Sequence, residues 1–474
     1  MKLGDYVRHD AVGLAQLVRR GEVSAEDLLD TAIAATEAID SKIHSVVHRF
    51  LDLARQQVRE LPREAPLRGV PFLLKDLNIQ MASTPLTNGS RLWRDFVCDH
   101  DSEAPARYRS AGLVIFGRTA SPEMGLTTTT ESQLFGKTRN PWNLERTAGG
   151  SSGGAAAAVA AGIVPAAHAS DGGGSIRIPA SCCGLFGLKP TRARVTVAPD
   201  KGHGWSGLST QHVVSRSVRD SAALLDAIEG PSPGDPYWAP PPARPYTEEV
   251  RTPAGQLRIA FTTQSFNGSA TDPECVRAVE STVELCRSLG HQVAEARPEV
   301  NPDALRGVAG TIVGGSLRAS FEDRARALGR PFRQDDVEPL SWLTAAVDER
   351  KLWEYPRAVD AAHAMGRAVG RFFLDHDALL TPTMAAPPLP LGRLALDRAD
   401  GEGYLVDLMA TIGYTNLMNV AGNPAMSVPL HWSEEDMPIG VQFAAALGRE
   451  DLLFRLAAQL EESRPWFDRR PAGF

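Results

Sequence analysis

Hydrophobic positions recur along the chain with helical and strand periods, and their alternation predicts the order of the secondary-structure elements. Between residues 11 and 41 apolar side chains return every three or four positions, which predicts helical structure with Ser24 as an N-cap. The continuously apolar run 70–74 predicts a buried strand that is followed directly by Lys75. The same patterns predict helices at 101–111, 152–162, 216–229, 273–289 and 450–462, and strands at 113–116, 187–188, 257–261, near 293, 378–380, 426–430 and 439–443.

Strands and helices that alternate in this way imply an α/β fold, in which a large mixed, mostly parallel β-sheet is covered by helices on both faces. Two regions differ from this pattern. Residues 230–256 are proline-rich and form either a linker or a long surface connection within one domain. Residues 301–375 are predicted to be helical and rich in charge, which suits the walls or the cap of a pocket.

The composition is that of a globular protein of 474 residues, with 43% hydrophobic and 23% charged residues. Such a chain can bury a large core, which excludes disorder as its main state. The net charge of −7 offers no basic surface for nucleic acid or for anionic lipid. The first residues lack the pattern of a signal peptide, and no apolar stretch is long enough to span a membrane.

The cysteines indicate a reducing compartment. There are five of them, Cys182 and Cys183 are adjacent, and no pair has the C-x-x-C spacing of a metal or redox site. Reduced thiols in a cytoplasmic protein are therefore expected.

Two segments rich in glycine and serine concentrate the candidate chemistry. They are 149–154, which runs into an alanine-rich helix, and 171–180, which contains Ser175. Successive glycines let the backbone approach a ligand closely, and free N–H groups before a serine can form a concavity for an anion. That anion is either a phosphate or the oxyanion of a tetrahedral intermediate. No lysine follows the glycines as in a P-loop, and the spacing also fails the dinucleotide-binding fingerprint, so phosphate is disfavoured.

A nucleophilic role for Ser175 requires a base. The G-x-S-x-G pattern is absent around Ser175, and no His–Asp pair stands at a suggestive position. Lys75 could be the base, because burial after the apolar run 70–74 would favour its neutral amine. The alternative, which the pattern alone favours, is a strand-end lysine that reaches solvent or pairs with Asp76. His168 lies in an apolar run and is expected to be a core histidine rather than a base.

Taken together, these segments resemble the amidase signature family. The resemblance rests on GVPFLLKD at 69–76, GGSSGG at 149–154, DGGGSIRIPA at 171–180 and GLFGLKPT at 184–191, with NPA at 423–425 and PIGVQ at 438–442 in the tail. It extends from about residue 10 to about residue 465. It implies the amidase signature fold in a single domain over 1–474, with a signature core at about 65–195 and a variable, pocket-forming helical region at about 300–375.

The resemblance also implies the catalytic residues. In this family one serine is the nucleophile, a second serine twenty-four residues earlier relays a proton, and a lysine is the base, which carries over to Ser175, Ser151 and Lys75. The family's relay serine follows a cis peptide bond, and Gly172 replaces the threonine that is usual at its position. The other implied residues are Gly172, Gly173, Gly174 and Ser175 in the oxyanion hole, Asp171, Arg177 and Ser152 as supporting scaffold, and Thr128, Thr129 and Thr130 along the acyl pocket.

Within the family, segments 139–143 and 170–191 look most like the branch that opens cyclic amide oligomers of nylon, and also like bacterial amidases of aryl amides and urethanes. The implied function is a serine amidohydrolase that cleaves small or oligomeric uncharged amides, and also esters, through an acyl-enzyme. A urethane hydrolase is the alternative in the same family. Alternatives of other classes are an amidotransferase subunit for aminoacyl-tRNA, which needs a partner chain, and a binding protein that lost catalysis. No cofactor, metal, nucleic acid or membrane is expected, and a homodimer is compatible with this function.

Overall fold

The computed structural model describes residues 1–474, and its helices and strands alternate much as the hydrophobic pattern predicts. The sixteen α-helices are α1 Leu3–Tyr6, α2 Ala11–Arg19, α3 Ala25–Ile43, α4 Leu51–Arg59, α5 Glu103–Ser110, α6 Gly153–Ala160, α7 Arg177–Cys183, α8 Val218–Ile228, α9 Tyr246–Glu249, α10 Pro273–Ser288, α11 Pro302–Ala327, α12 Pro339–Thr344, α13 Glu354–Asp375, α14 Gly401–Ile412, α15 Asn416–Ala421 and α16 Glu450–Ser463. The fifteen strands are β1 Val46–Arg49, β2 Pro71–Lys75, β3 Val114–Thr119, β4 Glu131–Ser132, β5 Gly136–Lys137, β6 Arg139–Asn140, β7 Asn143–Thr147, β8 Ala166–Asp171, β9 Phe186–Lys189, β10 Thr210–Ser215, β11 Arg258–Phe261, β12 Gln292–Glu295, β13 Ala378–Pro382, β14 Ala425–Trp432 and β15 Pro438–Ala445.

The helical region at 11–41 is interrupted between α2 and α3. Gly21 follows α2 with a φ of 73°, a left-handed conformation that glycine adopts at little cost. Ser24 then begins α3 as predicted, because its side chain accepts from the backbone N–H of Asp27 and the Asp27 carboxylate accepts from the Ser24 N–H. The predicted cap is therefore confirmed.

The main sheet has eight strands in the order β12-β11-β13-β15-β14-β9-β10-β8. Strand β11 pairs in parallel with β12 and β13, whereas the other five pairs are antiparallel. The mixed sheet is confirmed, but the prediction that it is mostly parallel is wrong. A short connection joins β14 to β15, which permits antiparallel pairing without a crossover helix. The pattern also missed β8 and β10, because β8 continues an alanine-rich apolar run and β10 is largely polar.

Helices cover both faces of the main sheet, as predicted. Along β15, Val441 and Phe443 belong to the large core that includes α10 and α16. The alternate residues point to the other face, since successive side chains of a strand alternate. There Gln442 contacts Arg177 of α7, and Ala444 belongs to a second core with α13 and α15.

A smaller sheet, in the order β1-β3-β2, brings the first signature segment to the main sheet. Strand β2 is parallel to β3, and β1 is antiparallel to it. The backbone N–H of Lys75, at the end of β2, donates to Nδ1 of His168 in β8 at 3.2 Å. This contact places Lys75 beside the last residues of β8, directly before the glycine-rich segment 171–180.

The two regions outside the alternating pattern also pack onto the fold. In the proline-rich segment, the Ala239 N–H donates to the Ala193 carbonyl at 3.0 Å, and Tyr246 is buried, so 230–256 is a surface connection and not a free linker. The region 301–375 is helical as predicted, and its helix α11 contributes Leu317 and Ser320 to the cavity described below. None of the helices combines the length and the apolar character that crossing a membrane requires.

Candidate active site

Ser151 and Ser175 line one cavity, and Lys75 lies directly behind Ser151. The three residues come from separate elements: Lys75 ends β2, Ser151 lies between β7 and α6, and Ser175 lies between β8 and α7. The Lys75 Nζ donates to Ser151 Oγ at 2.7 Å. No hydrogen bond joins Ser151 to Ser175 in this structure, although both face the same space.

Lys75 is fully buried, which excludes a strand-end lysine that reaches solvent. It has no ion pair with Asp76, whose carboxylate instead accepts from the Thr87 N–H at 2.9 Å. Its Nζ has two hydroxyl partners, Ser151 Oγ at 2.7 Å and Ser170 Oγ at 3.1 Å. Burial lowers the pKa of Lys75 to about 7, against the nearby Asp171 carboxylate, which acts to raise it. The amine can therefore be neutral near neutral pH.

Ser170 is a contact of Lys75 that the sequence analysis did not identify. It lies in β8, between His168 and Asp171, and it also lines the cavity. Ser152 fixes this strand end, because its Oγ contacts both the carbonyl and the N–H of Ser170 at 3.3 Å. No motif marked Ser170, since its role follows from the packing of β2 against β8.

The loop around Ser151 is held by threonines. The Gly150–Ser151 peptide bond is cis, as the resemblance implies. A side chain on Gly150 would collide with Thr129, whose carbonyl oxygen would be 2.3 Å from its Cβ. The Thr130 Oγ1 donates to the Gly149 carbonyl and accepts from the Gly153 N–H, both at 3.0 Å.

These contacts correct the predicted acyl-pocket threonines. Thr128, Thr129 and Thr130 are buried, and none of them lines the cavity that contains the two serines. The Thr128 hydroxyl is hydrogen-bonded to Thr411 Oγ1 at 2.7 Å, and that of Thr129 to Thr147 Oγ1 at 2.7 Å. Their hydroxyls are thus occupied by the protein, and Thr129 and Thr130 shape the loop that carries Ser151.

The glycine-rich loop before the helix α7 leaves several backbone N–H groups without a protein acceptor. The N–H groups of Gly172, Gly173 and Ser175 donate to no protein acceptor. Gly174 differs, because its N–H donates to the Asp171 carboxylate at 2.7 Å, so the prediction of a free donor does not hold for this residue. With a φ of 135°, Gly174 has a conformation that favours glycine, and its Cβ would lie 2.5 Å from Thr415 Oγ1.

Asp171 and Arg177 form a fully buried ion pair under this loop. The guanidinium binds the carboxylate in a bidentate manner, with both N–O distances at 2.9 Å. Burial alone would raise the pKa of Asp171, but the Arg177 charge holds it well below its usual range. Arg177 also donates to Gln442 Oε1 at 2.6 Å and to Asn419 Oδ1 at 2.6 Å. Gln442 belongs to the tail motif 438–442, which is a signal that could have predicted this contact.

His168 is a core histidine, as expected. It is buried, its Nδ1 accepts from the Lys75 N–H, and its Nε2 lies 3.1 Å from Gln211 Oε1. Burial lowers its pKa to about 3, so it stays neutral at ordinary pH. The same effect keeps the thiol of Cys182 protonated, since burial raises its pKa to about 12.

The rest of the cavity is mixed in character. No group of three or more His, Cys, Asp or Glu side chains is placed to hold a metal ion. The carboxylate of Asp200 accepts from Ser102 Oγ and from Gln80 Nε2, both at 2.5 Å, so this charge is engaged by the protein. The apolar lining side chains are Leu77, Ile79, Met124, Val197, Trp205 and Leu317.

Comparisons with known proteins agree with one another. A family model described as Amidase matches residues 27–454. A 6-aminohexanoate-cyclic-dimer hydrolase of Paenarthrobacter ureafaciens is 39% identical, over 98% of this chain and 96% of the relative. A solved structure of 6-aminohexanoate cyclic dimer hydrolase complexed with substrate has a TM-score of 0.93 at 38% identity, over 98% of this chain and 99% of that chain. A bacterial aryl acylamidase of the amidase signature enzymes has a TM-score of 0.90 at 26% identity, over the same 98% and 99%.

Proposed function

This chain belongs to the amidase family and is an amide hydrolase, and we propose on that premise that it cleaves small or oligomeric uncharged amides through an acyl-enzyme on Ser175. In this proposal Ser151 relays the proton and Lys75 is the base. The observation that carries it is the 2.7 Å hydrogen bond from Lys75 Nζ to Ser151 Oγ, beside the cavity that also contains Ser175. A buried amine with hydroxyl partners and no ion pair is suited to accept a proton.

In the first step, Ser175 Oγ forms a bond to the carbonyl carbon of the amide. Its proton passes to Ser151 Oγ while the proton of Ser151 passes to the neutral amine of Lys75. A pKa of about 7 leaves about half of the amine neutral at neutral pH, which suits a general base. His168 is a poor alternative, because its pKa of about 3 makes it a weak base.

The carbonyl oxygen becomes an oxyanion as Ser175 attacks. The free N–H groups of Gly172, Gly173 and Ser175 are the donors proposed to receive it, and one such donor contributes about 3 kcal/mol in other hydrolases. The Lys75 ammonium then returns its proton through Ser151 to the leaving nitrogen, and the C–N bond breaks. Water releases the acyl group by the reverse path, giving its proton to Lys75 and restoring the hydroxyl of Ser175.

The lining of the cavity supports an uncharged substrate. Apolar side chains flank the serines, and the lining contains one lysine and one carboxylate, Lys201 and Asp200, whose charges oppose each other. The Asp200 carboxylate is also engaged by Ser102 and Gln80. A solved relative at 38% identity is a 6-aminohexanoate cyclic dimer hydrolase complexed with substrate, which favours a cyclic oligomeric amide. Esters and urethanes have a carbonyl carbon that the same nucleophile can attack, so they belong in the substrate panel.

Mass spectrometry after exposure to a panel of amides, esters and urethanes tests the proposal. The protein is expected to gain the mass of the acyl group on the peptide that contains Ser175, whereas Ser175→Ala gains none. Ser320→Ala is a matched control, because Ser320 lines the same cavity but takes no part in the proposed relay. An adduct that persists in Ser175→Ala would refute the nucleophile, and turnover of esters or urethanes without any amide would refute the substrate class.

A further inference from the structure

Trp205 occupies the space where a side chain on Gly172 would lie. Both residues line the cavity together with Ser175. A Cβ atom on Gly172 would lie 2.5 Å from Cζ3 and 2.6 Å from Cε3 of the Trp205 ring, far inside the normal distance between carbons. Gly172 is not among the residues with positive φ, so its backbone conformation does not itself require glycine. The requirement is steric, and the indole imposes it.

The turn that carries Trp205 has an uncommon backbone conformation. Trp205 and Ser206 have φ values of 48° and 52°, and Gly207 follows with 87°. Bulky residues rarely adopt this left-handed region, and they do so where the surroundings fix them. The Gly204 carbonyl accepts from the Gly207 N–H at 3.0 Å, and Arg192 Nε donates to the Gly207 carbonyl at 2.7 Å. These bonds hold the turn and so direct the indole toward Gly172.

Trp205 thus has two environments. It packs against the second core, which contains residues of α11, α13 and α15, and it also lines the cavity next to the oxyanion loop. An indole offers a large, flat apolar surface at a small cost in conformational entropy. A ring fixed at this place limits the shape of any group that approaches Ser175.

We propose that the Gly172–Trp205 pair determines substrate specificity: the indole forms an apolar wall that favours aryl and oligomethylene amides over small polar amides. The inference rests on the proposed function, since it concerns the substrates of the same site. Because Gly172 is also a proposed oxyanion donor, the position of the wall and the geometry of the oxyanion loop are coupled. A side chain at residue 172 would displace one or the other.

The first test compares kcat/KM for an anilide or oligomethylene amide with kcat/KM for an acetamide-sized amide. Trp205→Ala is expected to lower the ratio of the two values about tenfold or more, mainly by raising KM for the larger amide. Trp205→Phe is expected to restore part of the ratio, because phenylalanine keeps an aromatic ring. Trp432→Ala is the control, because Trp432 packs against Trp142 and does not line the cavity. An unchanged ratio in Trp205→Ala overturns the inference. A wild type that hydrolyses no amide overturns the proposed function instead.

The second test needs no substrate and therefore does not depend on the proposed function. Gly172→Ala is expected to lower the Tm, because its Cβ would strike the Trp205 ring. Adding Trp205→Ala should remove most of that loss, so the two effects should not be additive in a double-mutant cycle. Additive changes in Tm would show that the two residues do not constrain each other and would overturn the pairing.

Discussion

Replacing Lys75 with methionine removes the proposed base and keeps a side chain of similar length. In the wild type, kcat/KM for an amide should rise with pH through one ionisation near pH 7, because only the neutral amine accepts a proton and burial lowers the pKa of Lys75 to about 7. Lys75→Met should abolish this ionisation and nearly all amide turnover. Esters should lose less activity, since an alkoxide departs more easily without the proton that Lys75 returns.

The burial of Lys75 also sets the size of a stability effect. Its pKa falls from 10.5 to about 7. At about 1.4 kcal/mol per pKa unit, the folded protein with a protonated Lys75 is destabilised by about 5 kcal/mol. Between these two pKa values the unfolded chain binds more protons than the folded one, so stability rises with pH in that window. Below pH 7 both states are protonated and the folded state carries the full cost. Between about pH 7 and about pH 9 the free energy of unfolding of the wild type should therefore increase by about 2 kcal/mol relative to that of Lys75→Met.

Two measurements examine these expectations. The first is the pH profile of kcat/KM, and the second is urea unfolding of the wild type and Lys75→Met at both pH values. Lys189 is a matched control, because it is fully buried, burial lowers its pKa to about 7, and its Nζ donates to the Pro190 carbonyl rather than to Ser151. Lys189→Met should keep the acid limb of the activity profile.

The reasoning is refuted if Lys75→Met retains the acid limb with little loss of amide turnover. The limb would then belong to another group. Lys189 would become the first candidate, because the pKa of His168, about 3, lies too low for a limb near neutrality. A stability difference that does not change between the two pH values would show that Lys75 is protonated in the folded protein throughout.

Three further outcomes follow from the same contacts. Ser151→Ala should lower kcat by about 10²–10⁴-fold but leave more activity than Ser175→Ala, since water can partly replace a relay hydroxyl; equal kcat in Ser151→Ala and the wild type would contradict the relay. Ser170→Ala removes an acceptor 3.1 Å from Lys75 Nζ that favours the ammonium, so the acid limb should move to lower pH, and a limb that stays in place would count against this contact. Arg177→Met leaves the Asp171 carboxylate buried without its partner, so the free energy of unfolding measured in urea should fall by about 3–5 kcal/mol. A decrease below about 1 kcal/mol would show that other groups stabilise the Asp171 charge.

The sequence was most informative where function restricts the residue type over a short segment. The glycine runs beside Ser151 and Ser175 indicated an anion-binding backbone, and the apolar run before Lys75 indicated a buried strand. Resemblance to the amidase signature family then supplied roles that spacing alone left open, such as the choice of Lys75 as a base. The helices and strands that were predicted lie within a few residues of their observed bounds, because hydrophobic period is a local property that survives folding.

Strand pairing was decided by the tertiary structure. Local pattern specifies that a segment is extended and buried, but not which neighbour it pairs with or in which direction. The prediction of a mostly parallel sheet failed for this reason. Strands β8 and β10 were not predicted at all, because their sequences lack a clear alternation of apolar and polar residues. The same limit applies to Thr128, Thr129 and Thr130. Thr129 and Thr130 contact the loop of Ser151 only through the fold, and none of the three lines the cavity.

The order of amino acids was enough to indicate the family, the residue types of the candidate site and the approximate order of many helices and strands. The packing of the folded chain established that Lys75 is buried behind Ser151, that Ser170 is its second partner, and that Trp205 fills the space above Gly172. Each of these contacts joins residues separated by more than thirty positions, and it depends on how β2, β8 and the turn at 204–207 pack together. Local propensity carries no information on contacts between residues so far apart in the sequence, because the free energy that stabilises them comes from the burial of many residues together.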